Sequence, residues 1–434
     1  MPRLSIVCRR VLVLIAFAAS FWPASRAAAE NWPAWRGPRG DGSSEESAVP
    51  TRWDGEKNEN IAWKVEVPGT GHASPVIWND RIFLVSCLEE EHDRVLLCLD
   101  RKTGKSFWQK SVLRSPLEKK HALNSYASST PTTDGELVYV TFLEGTQAGE
   151  AKGAQMAVAA YDFAGNQKWL VRPGPFSSVH GYCSCPVLFE DKLIVNGDHD
   201  GDAYLVALDK STGATIWKTP RENRTRSYCT PIIREIDGRT QMLLSGSKCV
   251  ASYDPHDGSR HWIIDGPTEQ FVASLVYTHG LVFVTGGFPD LHVMAINPAG
   301  KGNVTDSNIV WRHTGKMASY VPSPIAVGDY ILVASDFGLA TCLDAATGGV
   351  QWSKQLSRHF SASLVEAGGL VYFLDDAGVT HVVKPGKEFN AVAINKLFDP
   401  TESGELQDSC SASPAISQGQ IFLRTEKALY CIGK

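Results

Sequence analysis

Short stretches in which apolar and polar residues alternate recur along the chain from about residue 60 to its end. Alternation with a period of two residues, bounded by Gly and Asp, is typical of antiparallel β-hairpins. No stretch of this region carries apolar residues at a convincing helical spacing. The pattern therefore predicts an all-β protein built from many short strands.

One motif within these strands repeats with little change. It places an Asp, a Gly turn that is usually Thr-Gly, and a Trp at constant offsets, as in residues 96–108, 205–217, 250–262 and 340–352. The spacing predicts a strand that ends at the Asp, a tight turn at the Gly, and a following strand that contains the Trp. A degenerate copy ends at Trp169, and Trp63 and Trp311 lie in similar strands.

A second landmark precedes each of these motifs. It begins with small residues and Pro, continues through an apolar pair to a Gly or Asp turn, and ends in a β-branched and aromatic strand. Eight copies start at residues 72, 126, 182, 228, 271, 320, 360 and 410. Each unit thus contains four strands within about 40 to 50 residues, which is the size of a propeller blade.

The last unit reaches the end of the chain with only three strands. Residues 60–67, NIAWKVEV, can supply the missing outer strand, which would join the two ends of the ring and remove an open sheet edge. We therefore predict an all-β fold, an eight-bladed β-propeller of four-stranded antiparallel blades over residues 60–434. The N-terminal strand closes it by pairing with the C-terminal blade. Residues 30–59 are expected to form an arm that packs on the propeller.

The first 29 residues have the order of a secretory signal peptide. Arg3, Arg9 and Arg10 precede an apolar run at 11–22, and small residues follow at 27–29. The run is too short to span a bilayer. We expect an exported protein, periplasmic or extracellular, without a membrane span. The formal net charge of −5 argues against nucleic acid or anionic lipid as the main partner.

The repeated Asp-x-x-Thr-Gly-x-x-x-Trp motif resembles the pyrroloquinoline-quinone-like repeat. That repeat builds eight-bladed propellers in quinoprotein dehydrogenases and in the outer-membrane assembly lipoprotein of the β-barrel machinery. The stretches NWPAWRGPRGDG and WDGEKNENIAWKVEVPGTGHASPV also resemble exported bacterial propellers without an assigned activity. The chain departs from both named groups, because it has neither an adjacent Cys-Cys pair nor a lipid-modified cysteine. We therefore predict no cofactor.

The N-terminal ends of the innermost strands are expected to open on one face of the ring. Aromatic residues with a few polar groups collect there, a combination that suits peptides, sugars and small polar ligands. The alternative is that the tyrosines pack between blades. The predicted ligand-binding residues at this channel mouth are His72, Asn124, Tyr126, His180, Tyr182, Arg226, Tyr228, Tyr320 and His359, with Phe271 nearby.

Two segments could hold a metal ion. Asp198, Asp200 and Asp202 place three carboxylates within five residues, which could gather calcium or could form a solvated turn. His180, Cys183 and Cys185 could supply ligands for zinc or copper, or the two thiols could pack where other blades use Ala, Ser or Thr.

The remaining polar features concern cysteines and arginines. Three same-blade pairs could be disulfides or buried thiols: Cys87 with Cys98, Cys229 with Cys249, and Cys410 with Cys431. Three arginines at 221, 224 and 226 could recognise a carboxylate or sulfate, or could pair with nearby acids.

The predicted function is binding without catalysis. We expect a scaffold-like monomer that binds a protein, peptide or glycan partner of the cell envelope at the channel mouth. One alternative is a dehydrogenase of alcohols or sugars that depends on pyrroloquinoline quinone with calcium. Another is a metal-assisted hydrolase or lyase that uses the acidic turn. No motif of a catalytic nucleophile occurs in the chain, so we predict no catalytic residue.

Overall fold

The computed structural model describes residues 29–399 and 408–433, and the predicted signal peptide at 1–29 lies almost wholly outside them. Within these ranges the chain forms strands and turns and contains no helix. The strands group into eight antiparallel sheets, each of four main strands. A membrane-crossing helix is accordingly not found in the described part of the chain.

Blades one to four follow each other along the chain, and the strands of each run from the channel outward. Their bounds are Val76–Trp78, Arg81–Leu88, Asp93–Asp100 and Ser106–Arg114; Thr132–Thr133, Leu137–Glu144, Ala154–Asp162 and Gln167–Val171; Val187–Phe189, Lys192–Gly197, Tyr204–Asp209 and Thr215–Pro220; and Ile232–Ile236, Arg239–Gly246, Cys249–Tyr253 and Arg260–Asp265.

Blades five to eight have the same order, but the outer strand of blade eight comes from the N-terminal side of the chain. Their bounds are Val276–Thr278, Leu281–Gly286, His292–Ile296 and Ile309–Thr314; Ile325–Val327, Tyr330–Ala334, Leu339–Asp344 and Val350–Gln355; Val365–Ala367, Leu370–Leu374, Val379–Lys384 and Asn390–Lys396; and Ala415–Ser417, Gln420–Arg424, Ala428–Ile432 and Ile61–Glu66.

Three two-residue strands extend these sheets. Pro175–Phe176 adds to blade two, Gly302–Asn303 pairs in parallel with the outer strand of blade four, and Ser43–Ser44 pairs in parallel with the innermost strand of blade seven.

The ring closes as the sequence predicts. Ile61–Glu66 pairs antiparallel with Ala428–Ile432, which places Trp63 opposite Cys431. The innermost strands of blades one and eight also contact each other. The predicted eight-bladed propeller, closed through its N-terminal strand, is therefore confirmed.

The apolar core lies between neighbouring blades. Phe283 and Val293 of blade five, for example, pack against Ile331 and Val333 of blade six, and all four are buried. Both faces of the middle strands are therefore covered, which explains why their sequences are almost continuously apolar.

The Asp-Thr-Gly-Trp motif forms the joint between blades. In blade three, Asp209 Oδ1 accepts hydrogen bonds from the Thr212 amide and hydroxyl at 2.8 Å each. Gly213 then takes a positive φ of 76° beneath the ring of Trp169 from blade two. The Trp169 indole N–H donates to the Lys210 carbonyl at 3.1 Å. The indoles that bond to the next blade in this way, at 3.0 to 3.2 Å, are those of Trp63, Trp108, Trp169, Trp217, Trp311 and Trp352.

Gly213→Ala should destabilise the protein by about 2 to 4 kcal/mol. The positive φ costs about 1 to 2 kcal/mol for a residue with a side chain, and an added Cβ would lie 2.8 Å from the Trp169 ring, so overpacking adds to that cost. Gly238→Ala is the matched control, because Gly238 has a φ of 70° but nothing within 4 Å of its Cβ position. Chemical denaturation measures the free energy of unfolding of both variants. Equal losses of stability would contradict the contact between Gly213 and the Trp169 ring as the source of the extra cost.

The N-terminal arm, residues 30–59, crosses the end of the channel opposite the N-terminal ends of the innermost strands. The Trp32 amide donates to the Ile77 carbonyl at 2.9 Å, and the Ile77 amide returns the bond at the same distance. Arg36 is fully buried and donates to the carbonyls of Leu364 and Pro324 at 2.6 Å, which connects the arm to blades seven and six. The arm thus closes one end of the ring.

Candidate binding site at the channel mouth

A belt of small polar side chains lines the channel. At seven of its joints, the backbone N–H of a belt residue donates to the side chain at the same position in the next blade, at 2.9 to 3.3 Å. We call this belt the hydroxyl ring; its members are Ser74, Thr130, Cys185, Thr230, Ser274, Ser323, Ser363 and Ser413. The Cys185 thiol therefore takes the place of a hydroxyl.

A cavity of about 390 Å³ lies between this ring and the mouth of the channel. Trp35 of the N-terminal arm forms its floor, and the indole N–H is 3.4 Å from Ser413 Oγ. This cavity faces the mouth, and a second cavity of about 280 Å³, also lined by Trp35, lies on the side of the arm. A concave, partly apolar cavity of this size is the usual form of a small-ligand or peptide site.

Six of the nine predicted mouth residues line this cavity: His72, Asn124, His180, Arg226, Tyr228 and Tyr320. The other three predicted residues do not line it. Tyr182 is buried edge-to-face against Phe176, and His359 pairs with Asp376 at 2.7 Å. Tyr126 lies beneath the Lys120 ammonium group. Phe271 is fully buried between blades.

The sequence patterns missed several lining residues. His121 and Leu123 come from the loop before blade two, Phe288 comes from a loop of blade five, and Trp35 comes from the arm. Irregular segments carry no periodic signal, so nothing in the sequence places these side chains above the channel.

A hydrogen-bonded cluster occupies one side of the mouth. The Tyr228 hydroxyl is 2.9 Å from Ser178 Oγ and 3.1 Å from His180 Nδ1. The Asn124 amide donates to the His180 carbonyl at 2.7 Å. His121 lies edge-to-face on the His180 ring, with centroids 5.3 Å apart. These contacts hold the His180 ring in one orientation at the cavity wall.

Two of the cavity histidines, His72 and His180, have lowered pKa values. Burial, and then the positive charge of Arg226, lower the pKa of His180. Burial, and then Arg424 and Lys120, lower the pKa of His72 to about 4. We therefore expect His72 to be neutral near pH 7.

His72 should make the stability of the protein depend on pH. Between its unfolded pKa of about 6.5 and its folded pKa of about 4, the unfolded chain binds a proton that the folded chain does not. The free energy of unfolding should therefore decrease as the pH is lowered through this window, by at most about 1.4 kcal/mol per pH unit from this group.

Urea unfolding of His72→Gln across this window tests the expectation. The variant should lose stability less steeply than the natural protein, and the difference between them should be constant between pH 7 and 8. If the free energies of unfolding of the two proteins changed in parallel from pH 7 to pH 4, the lowered pKa of His72 would be contradicted.

The acidic turn pairs with the arginine-rich loop. Asp198 contacts Arg221 at 2.8 Å, Asp200 contacts Arg226 at 2.7 Å, and Asp202 contacts Arg224 at 3.3 Å. Within residues 29–399 and 408–433, no group of three His, Cys, Asp or Glu side chains is arranged to hold a metal ion. The acidic turn and the arginine-rich loop therefore neutralise each other's charges. The metal hypotheses for this turn and for His180, Cys183 and Cys185 find no geometric support.

The three suggested disulfides are not present, and the six cysteines are free thiols. The strand register explains the first pair: Cys98 faces Phe83 and Cys87 faces Arg94, so the two thiols lie at different levels of the hairpin. Cys249 faces Gly246, not Cys229, and Cys431 faces Phe422, not Cys410. All six cysteines are buried and unpaired, which agrees with the alternative prediction of buried thiols.

Fold and site together define a propeller with an arm across one end of its channel and a candidate binding cavity at the other. The family model described as outer membrane protein assembly factor BamB matches residues 51–169, 151–305 and 292–426, and the chain belongs to that family. The resemblance drawn from the repeated motif is thus confirmed.

Among solved structures, the crystal structure of BamB from Moraxella catarrhalis is similar, with a TM-score of 0.56 and 11% sequence identity. The similarity covers 86% of this chain and 97% of that one. Because the identity is so low, this likeness shows the fold alone. No curated protein matches the chain.

Proposed function

We propose that the protein is an exported, non-catalytic scaffold of the cell envelope that binds a segment of a partner protein at the channel mouth. The observation that carries this proposal is the cavity itself, which is open at the mouth and closed below by Trp35. The family's description as an outer membrane assembly factor supports a protein partner in the envelope.

Two large apolar side chains at the cavity support a protein or peptide ligand. Leu123 is 62% exposed and Phe288 is 53% exposed, and both line the cavity. Exposed apolar groups around a concave site are typical of binding surfaces, because a partner that covers them removes apolar area from water.

Site-specific photo-crosslinking in cells tests the proposal. A photoreactive amino acid at Leu123 should form an adduct with a partner protein. The same group at Ile394, which is 63% exposed on the outer strand of blade seven, is the control and should not form that adduct. Equal labelling at both positions, or adducts with glycan only, would contradict binding of a protein segment at the mouth.

The cavity does not fit a quinone with calcium. Calcium is bound by oxygen ligands that usually include carboxylates. None of the described residues that line the cavity is an Asp or a Glu, and its side-chain amides are those of Asn124 and Gln270. Addition of the quinone and calcium should therefore leave the absorbance spectrum equal to the sum of the components, and a new bound-quinone band would contradict this.

A Ser, a His and an Asp do meet near the mouth, but not in the order of a catalytic triad. The Asp376 carboxylate is 2.7 Å from His359 Nδ1 and 3.1 Å from Ser361 Oγ. In a triad the serine contacts the other ring nitrogen, Nε2, so that the imidazole can take its proton. Here Ser361 lies on the Nδ1 side, at 3.5 Å from that atom. Ser361 thus lies on the side of the imidazole that Asp376 already occupies, unlike the serine of a triad.

A further inference from the structure

The wall of the mouth cavity differs in charge from the protein as a whole. The chain has 47 acidic and 42 basic residues. Yet the cavity is lined by Arg226 and by three histidines, and no Asp or Glu is among its described lining residues. Arg226 is the one Arg or Lys among these lining residues, and any of its N–H donors that Asp200 leaves free would suit a ligand that carries negative charge.

Asp200 orients the Arg226 side chain, but not all of the guanidinium N–H donors have a partner. Its Nη1 donates to Asp200 Oδ2 at 2.7 Å, and its backbone N–H contacts Oδ1 of the same carboxylate at 3.2 Å. Its Nε is buried and has no hydrogen-bond partner. A guanidinium has five N–H donors and can bind a second carboxylate.

The two other arginines of this loop do not line the cavity. Arg221 is buried against Asp198, and Arg224 is an exposed partner of Asp202. Arg226 is therefore the one arginine of the loop that a ligand at the mouth can reach. Arg224 differs from it mainly in location, which makes it a matched control.

An apolar surface lies within the same cavity as Arg226. Leu123 and Phe288 are the exposed apolar side chains there, and the floor is the indole of Trp35. A bound group that combined an apolar side chain with a carboxylate would use both surfaces. A purely apolar ligand would desolvate those Arg226 donors that Asp200 does not bind and would leave them unpaired, which is costly.

We propose that the mouth cavity binds a carboxylate that a partner peptide carries beside an apolar side chain. Arg226 is its cationic partner, and Leu123 and Phe288 contact the apolar group. The inference rests on the proposed function and narrows its ligand. The carboxylate can belong to a Glu or Asp side chain or to the end of a peptide chain, and the experiment separates these two sources.

The experiment uses an array of pentapeptides in which the last three positions cover Leu, Phe, Ser, Lys, Gln and Glu. One set is blocked at both ends, and a second set has a free C-terminal carboxylate. Binding of the purified protein is measured for the natural chain and for Arg226→Gln, Arg224→Gln, Phe288→Ala and Phe337→Ala. Phe337 is 47% exposed on the corresponding loop of blade six but does not line the cavity.

Peptides with Glu beside Leu or Phe, or free-ended peptides with an apolar last residue, should bind about tenfold or more tightly than their uncharged counterparts. The preferred set identifies the source of the carboxylate. Arg226→Gln should remove this preference, and Arg224→Gln should retain it. Phe288→Ala should weaken binding generally, whereas Phe337→Ala should not.

Three results would overturn the inference. Equal binding of Glu and Gln peptides, with sensitivity to Phe288→Ala, would reject the carboxylate while leaving the proposed function intact. A preference that survives Arg226→Gln would reject the assigned partner. Absence of peptide binding, with Arg226-dependent binding of trigalacturonate instead, would reject a peptide ligand and the proposed function with it.

Discussion

Asp198→Ala should destabilise the protein by about 3 to 5 kcal/mol. Asp198 and Arg221 are both buried, and their side chains lie 2.8 Å apart. Removal of the carboxylate would leave a guanidinium in the protein interior with only neutral partners, such as the Gly246 carbonyl at 3.3 Å. A buried charge that loses its partner is costly because neither water nor an opposite charge compensates it.

Asp202→Ala is the matched control for this prediction. Asp202 and Arg224 are both exposed and 3.3 Å apart, so loss of this pair should change stability by less than about 1 kcal/mol. The double variant Asp198→Ala with Arg221→Met should recover part of the loss, because it removes the unpaired charge. Chemical denaturation of all three variants decides the matter, and a loss below 1 kcal/mol for Asp198→Ala would refute the buried pair.

Arg36→Ala should release the N-terminal arm and open the floor of the cavity. The buried guanidinium holds the carbonyls of Leu364, Pro324 and Asp41 at 2.5 to 2.6 Å. Burial lowers its pKa to about 10, so it remains charged at neutral pH. Hydrogen bonds from a charged donor contribute about 1.5 to 3 kcal/mol each, and we expect a total loss of at least about 3 kcal/mol.

Limited proteolysis measures release of the arm, and binding at the mouth measures its consequence. Arg36→Ala should be cleaved within residues 30–59 under conditions that leave the natural protein intact, and it should bind more weakly as Trp35 leaves the floor. Arg39→Ala is the control, since Arg39 is partly exposed and its side chain bonds only within the arm, to Glu30 and Ser43. Equal protection of both variants would show that Arg36 does not hold the arm.

Much of the fold could be predicted from repeated local patterns. The turn at Gly213, with its preceding Asp and the following Trp, forms the same structure wherever the motif recurs, because its main hydrogen bonds are local. Closure through residues 60–67 was also predictable, since an unpaired edge in the last blade calls for one more strand.

The candidate site was only partly predictable. His180 and Tyr228 lie at regular positions of the repeat, so the pattern could place them at the mouth. Leu123 and Phe288 lie in loops of different length and composition, and no period locates them. The pairing of Asp200 with Arg226 joins two blades across 26 positions of the chain, so neither residue alone shows that its charge is already compensated.

Periodicity and turn chemistry along the chain thus specify the strands, their number and the closure of the ring, because each depends on residues close in sequence or on a simple repeat. Only the assembled ring determines which cysteines remain unpaired, which carboxylates pair with an arginine and which side chains line the cavity. Those outcomes depend on distances between blades and on the path of the arm, which are set by packing in three dimensions.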